Sequence, residues 1–542
     1  MIRLFAAFLA LLMAALPVAA ATPADLHALF ADWRRFHGAL NPAGVPDYTP
    51  AANAARADGL KRFEARLAGI DTAGWAVADK VDWQLVRAEM NGLKFDLDVA
   101  KPWARDPAWY VSVWTAQSDT PSHEGPVHIA PIELWQYDFP LSKADAARLS
   151  GELAHIPPLL SQARGNLTGN AGDIWSASII TVAEQADALR ALRGKVKGHK
   201  RLEQSVADAL AATDAFVAWV KTEAPRKTGP SGVGVTAYDW YLRHVQLSPF
   251  TWADEVAILK RELARAHAGL RLEENHHKTL PALTSPGSQA EWDAKSNADI
   301  DHFIRFMDET GVATIQPWMK PELQKRTGTW LPPERQNFFA IAQGRAPNSL
   351  LTHFYHWWDL AEMQARPHPS PIRRGPLLYN IWLSRAEGNA TAMEAMMLDA
   401  GLFDKEPRSR EVVWIMQAQR AARGLAALYA QANTIDLKAA MAMQVARTPN
   451  GWMSPDLPLL GFEQSLYLRH PGYGPSYITG KAQVERLFAE LAEKERAGLP
   501  GATFSVKGFY DRLGSFGMIP LSLIRWQWLG ETDEVAAMEV TK

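Results

Sequence analysis

The chain has 542 residues, a formal net charge of −2 and no cysteine. That balance, with no basic tract interleaved with aromatic residues, excludes nucleic acid and a polybasic membrane surface as partners. Disulfides and a thiol nucleophile are excluded too, so stability rests on core size, which a chain of this length supplies.

Met1-Ile2-Arg3, the apolar run Leu4 to Leu16 and the small residues Ala19-Ala20-Ala21 have the pattern of a secretory signal peptide over residues 1–21. The run is too short for a retained membrane span, and no cysteine stands near the cleavage site to carry a lipid. The expected location is the periplasm or the exterior, with no integral membrane span after cleavage.

Beyond residue 21 the apolar spacing is mostly helical. Leu60, Phe63 and Leu67 form one stripe, and Leu149, Leu153 and Ile156 form another that Pro157-Pro158 should stop. Helical patterns continue through 183–192, 202–220 and 252–272. The last has Thr251 as its predicted N-cap and Asp254-Glu255 in its first turn. Further helices are expected over 291–310, 349–364, 377–400, 410–431 and 483–497. Strand signals are confined to Tyr110–Trp114 and Gly232–Val235. A break near Thr222–Ser231 divides an N-terminal helical part, 22–225, from a C-terminal helical part, 226–542, the two sharing one core.

The segment Leu350 to Glu362 concentrates His353, His356, Asp359 and Glu362 in a stretch otherwise apolar, and Glu387 opens a second helix that also carries Glu394. A catalytic zinc needs about three His or carboxylate ligands and one open position. Two histidines from one helix and Glu387 from another form the better-shaped set; His353, His356 and Asp359 converge only on a tight or distorted turn. The competing structural reading keeps the histidines as core residues bonded to Asp359 or to backbone, with Glu387 capping its helix or pairing with Arg385 or Arg373-Arg374. No Gly-x-Ser-x-Gly elbow and no Gly-x-Gly-x-x-Gly loop occurs.

Several segments in order resemble the bacterial family DUF885, a helical family related to zinc-dependent peptidases. They are Gln162 to Leu167, Ala237 to His244 with Thr251 to Glu255, Glu387 to Glu394, His470 to Lys481, and Phe509 to Pro520. The chain departs from the family pattern in lacking its His-Glu pair and its Pro-Gly-His-His, and in placing Asn389 where the family has Trp. The resemblance implies a mainly α, large multi-helix, metallopeptidase-like fold with a deep central cleft and few short strands. Zinc is the cofactor expected from it, with no cofactor as the alternative, and the ligands are the set read from the spacing: His353, His356 and Glu387. Asp359 or Glu362 is then the proton acceptor for the attacking water, and Tyr477 or His470, on a loop over the cleft, is the donor to the developing oxyanion. The expected function is a zinc-dependent peptidase acting on small peptides; the alternative is an inactive family member that binds a peptide or another small envelope ligand.

Overall fold

The computed structural model describes residues 21–38, 41, 43–118, 129–456, 458–498 and 503–539; the expected signal segment, up to Ala20, lies outside them. Among the described residues the architecture is mainly α, and the one sheet is a parallel pair of two-residue strands, β1 (Val113–Trp114) and β2 (Ile132–Glu133). The helices that build the site and its support are α1 (Val77–Phe95), α2 (Gly172–Lys195), α3 (Lys200–Glu223), α4 (Trp252–His276), α5 (Tyr355–Ala365), α6 (Leu383–Ala400), α7 (Ser409–Gln431) and α8 (Tyr473–Arg496). Gly232 and Val233 form no strand, and a helix begins at Val235.

Local chemistry explains where these helices start. Thr251 accepts from the Asp254 amide at 3.2 Å while Asp254 Oδ2 accepts from the Thr251 amide at 2.9 Å, the reciprocal capping box anticipated for α4. Pro157 and Pro158 do not merely stop a helix. They sit in the first turn of the next one, Ile156–Asn166, where a missing N–H costs nothing.

Three further expectations need correction. The helix anticipated over 349–364 is interrupted: Pro347–Leu351 ends, Thr352 to Phe354 form a turn, and α5 begins at Tyr355. The amides of His353 and Phe354 bond to carbonyls three residues back, at 3.0 and 3.1 Å, and the hydroxyls of Ser349 and Thr352 also bond back to the chain. The helix anticipated from 377 starts only at Leu383, because Tyr379 and Asn380 take left-handed conformations; Glu89 of α1 holds the preceding Leu378 amide at 2.9 Å. Finally, the Pro/Gly-rich stretch 470–481 is no loop over a cleft. Gly472 adopts φ 84° as the N-cap of α8, and Pro475 occupies its first turn, where its amide would lack a helical partner anyway.

Two apolar cores dominate. One gathers residues from Leu26 to Met538; the other is built mainly from α2, α3 and their neighbours and is closed by Ala426 and Ala430 of α7. Between α6 and α8 there is no room for side chains: a Cβ on Gly388 would lie 2.5 Å from backbone atoms of Gly480, and one on Gly480 2.3 Å from the Ser384 carbonyl. The two backbones touch.

Helix α8 is pinned to α4 through a buried carboxyl. Glu255 Oε2 accepts from the Tyr238 hydroxyl at 2.7 Å, and Oε1 lies 3.4 Å from Thr479 Oγ1. Burial outweighs these bonds and pushes the carboxyl up from 4.5 to about 8. Folding therefore takes up a proton at this residue, so its contribution is complete at acid pH and is lost as the pH rises through about 8. Glu255→Gln should melt above the parent protein near pH 8 and level with it near pH 4, by calorimetry. An equal difference at both pH values would contradict the assignment. Gly480→Ala should destabilise the fold by ~1–3 kcal/mol or more through overpacking, measured by denaturant unfolding.

Candidate metal centre

The site forms where the turn before α5 meets α6 and α8. His353 on that turn, His356 on α5 and Glu387 on α6 are between 1 and 6 % exposed, and one ligand atom from each lies within 4.8 Å of the others. His353 Nε2 stands 3.4 Å from Glu387 Oε2. That separation matches the ligand–ligand edge of about 3.4 Å in a tetrahedron with zinc bonds of about 2.0–2.1 Å. His353 stands in the turn that interrupts the helix and His356 in the first turn of α5.

Glu387 is held so that one oxygen faces the imidazoles. Tyr473 and Tyr477, one turn apart on α8, donate to Oε1 at 3.1 and 3.0 Å, whereas Oε2 is buried and accepts no hydrogen bond among the described residues. An ionised oxygen so placed fits a metal ligand, because a buried carboxylate without a cation or donor is costly. Burial opposes ionisation, yet the 3.4 Å contact with His353 Nε2 and the fields of His356, His353 and Arg423 prevail, holding the carboxyl at about 2. A carboxyl held so low stays ionised near neutrality, the state in which a carboxylate could hold a metal.

Behind His353 stands Glu394, two turns beyond Glu387 on the same face of α6. Its Oε1 lies 2.9 Å from His353 Nδ1, at ion-pair distance though off ideal hydrogen-bond alignment. Arg420 of α7 pairs with Oε1, and Gln417 donates to Oε2 at 2.9 Å. This carboxylate–imidazole arrangement turns Nε2 toward Glu387, as in metal sites where an outer carboxylate fixes the ligand ring. Arg423 lies 4.0 Å above the Tyr477 ring and pairs with Glu463.

The other anticipated residues are placed elsewhere. Asp359 is gripped by Arg385 through two bonds of 2.8 and 2.9 Å, both side chains buried; burial lifts its carboxyl to about 6 against the pull of Arg385. Glu362 pairs with Arg366 at 2.7 Å on the outer part of α5. His470 lines a different cavity, with Asp106, Tyr241 and Tyr379. Tyr477 does join the cluster, with its hydroxyl directed at Glu387. Tyr473, Arg420 and Gln417 are not among the anticipated site residues; Glu394, anticipated on the helix of Glu387, takes the place of partner to His353, a role its two-turn spacing to Glu387 allows.

Asp359→Ala would leave Arg385 buried without its partner. It should cost ~3–5 kcal/mol of stability while leaving zinc stoichiometry unchanged, read by unfolding and elemental analysis. Glu394→Gln should weaken zinc binding by about 10–100-fold in competition with a chelating dye. Equal affinity would show that Glu394 does not orient His353.

Comparison with known proteins gives a family and a fold. Two solved structures superpose over 94 % of this chain. One, from Shewanella oneidensis, is described as a "putative lipoprotein of unknown function" and matches at TM-score 0.68 and 15 % identity over 100 % of its own length. The other, described as a "putative lipoprotein" from Colwellia psychrerythraea, matches at 0.65 and 14 % over 99 %. At these identities the likeness is one of fold. No curated protein matches the chain. The model of the family described as "Bacterial protein of unknown function (DUF885)" matches residues 35–326, a range that ends before His353. The chain belongs to the DUF885 family.

Proposed function

We propose that the protein is an envelope hydrolase in which His353, His356 and Glu387 hold a zinc ion and short peptides are the substrates. The observation that carries this reading is the convergence of three ligand atoms within 4.8 Å around a carboxylate whose second oxygen is already occupied by two tyrosines. When bound, zinc supplies a Lewis acid able to polarise a carbonyl oxygen. The chain's own residues do the rest. Tyr473 and Tyr477 restrict Glu387 to one oxygen, Glu394 sets the ring of His353, and the burial of all three ligand residues keeps bulk water from the cluster. Three ligands leave a fourth position for substrate or water. The envelope location rests on the pattern of the first 21 residues and on the description of the two structural neighbours. No helix among the described residues is long and apolar enough to cross a membrane.

One observation favours a second reading, in which the protein binds an envelope ligand without cleaving it. Of the two anticipated proton acceptors, Asp359 is engaged on both oxygens by Arg385 and Glu362 pairs with Arg366, while Glu394 is engaged by Arg420 and Gln417.

Zinc analysis of the purified protein together with hydrolysis assays on a panel of short peptides separates the two. The first reading expects about one zinc per chain and a hydrolytic activity lost both on chelation and in Glu387→Ala. Zinc without hydrolysis supports the second reading, and a protein with neither contradicts the metal centre.

A further inference from the structure

The wall of α5 that carries His356 continues outward into a cavity of about 450 Å³. Leu360, Met363 and Gln364 line it, four, seven and eight residues beyond His356, and so lie on the same helical face. Leu360 stands only about 6 Å further along the helix axis than His356. A second link runs through side chains. Gln117, in the opposite wall, accepts from Arg326 at 3.0 Å, and the Arg326 guanidinium lies 3.4 Å from the ring centre of Trp357, the neighbour of His356. The cavity therefore shares α5 with the candidate centre, although His353, His356 and Glu387 are not among its lining residues.

Its chemistry is mixed in an informative way. Trp114 of β1 and Trp135 of the turn after β2 supply indole surface, and Trp135 is 38 % exposed, unusual for so large an apolar side chain. Gln364 supplies an amide that can both donate and accept; Gln117, its oxygen engaged by Arg326, offers chiefly its NH2, and Gln136, its NH2 engaged by the lining carboxylate Glu133, offers chiefly its oxygen. At the mouth Arg374 is oriented by the carbonyls of His368 and Pro369, at 3.2 and 2.9 Å. A volume of this size holds a small ligand rather than a chain segment.

We propose that this cavity binds a short peptide carrying a large apolar side chain and a free carboxylate, with Trp114 and Trp135 packing the side chain and Arg374 pairing with the carboxylate. The amides match the alternating N–H and C=O groups of a peptide, and the guanidinium distinguishes an anionic end from a neutral sugar. This rests on the hydrolase reading only for its substrate role; binding itself is a separate property of the cavity.

The test is calorimetric titration of the full-length chain with the dipeptide Leu-Phe, its C-terminal amide and cellobiose. The expected result is saturable binding of Leu-Phe, weaker binding of the amide and none of cellobiose. Trp135→Ala, at a partly exposed position, should weaken Leu-Phe binding by about tenfold at an unchanged melting temperature. Arg374→Gln should bring acid and amide to equal affinity. No saturable binding at millimolar dipeptide, undiminished binding in Trp135→Ala, an unchanged acid preference in Arg374→Gln, or equal binding of cellobiose would each overturn the proposal. Zinc content of the same preparations reports on His353, His356 and Glu387 alone, so failure of either claim is visible without the other.

Discussion

The contact on which the candidate centre depends is the meeting of two glycines. Gly388 and Gly480 let the backbones of α6 and α8 touch, and the residues that define the site are their neighbours on each helix. Tyr473 and Tyr477 precede Gly480 by seven and three residues, on the stripe of α8 that faces α6; Glu387 immediately precedes Gly388. Tyrosine hydroxyls reach a carboxylate on the facing helix at 3.0–3.1 Å only because the axes are this close. Any side chain at the crossing would separate donor from acceptor, and Glu387 would lose the two bonds that orient it.

Electrostatics then determines what the cluster can hold. Glu387 and Glu394 bring two carboxylates to one buried face of α6, and Arg420, Arg423 and the two imidazoles surround them. The partners are unevenly distributed. Arg420 and Gln417 satisfy Glu394, Glu463 takes Arg423, and Glu387 is left with an oxygen that faces only imidazole nitrogen. A divalent cation at that point would complete the arrangement, because imidazole ligands must be neutral and Glu387 ionised for metal to bind. Two nearby acids therefore have different tasks: Glu394 positions a ring, and Glu387 presents a ligand atom.

Much of the helical framework was legible in the residues. The Thr251 cap and the apolar periods of α2 and α3 follow from local rules, and local rules suffice where one side of a helix simply faces a core; α7 is buried on nearly every side. His353, His356 and Glu387 could be grouped from residue type alone. The break at Thr352 to Phe354 could not, since it depends on hydroxyls bonding back to carbonyls within a stretch that still reads as apolar and periodic. The segment from His470 to Lys481 misled for the opposite reason: its glycines and prolines suggest a loop, but here they cap a helix and permit its close packing. Asp359 looked like a free acid because Arg385, 26 residues away, reaches it only in the folded chain. Tyr473 meets Glu387 across 86 residues, a pairing that no local pattern encodes.

The most direct measurement is an anomalous-difference map collected at the zinc edge from crystals of the zinc-loaded protein. It should show one strong peak about 2.0–2.2 Å from His353 Nε2, a ring nitrogen of His356 and Glu387 Oε2, with Oε1 still bound by both tyrosines. A map without a peak among these residues, with the imidazoles bonded only to carboxylates and neighbouring protein atoms, would contradict the account.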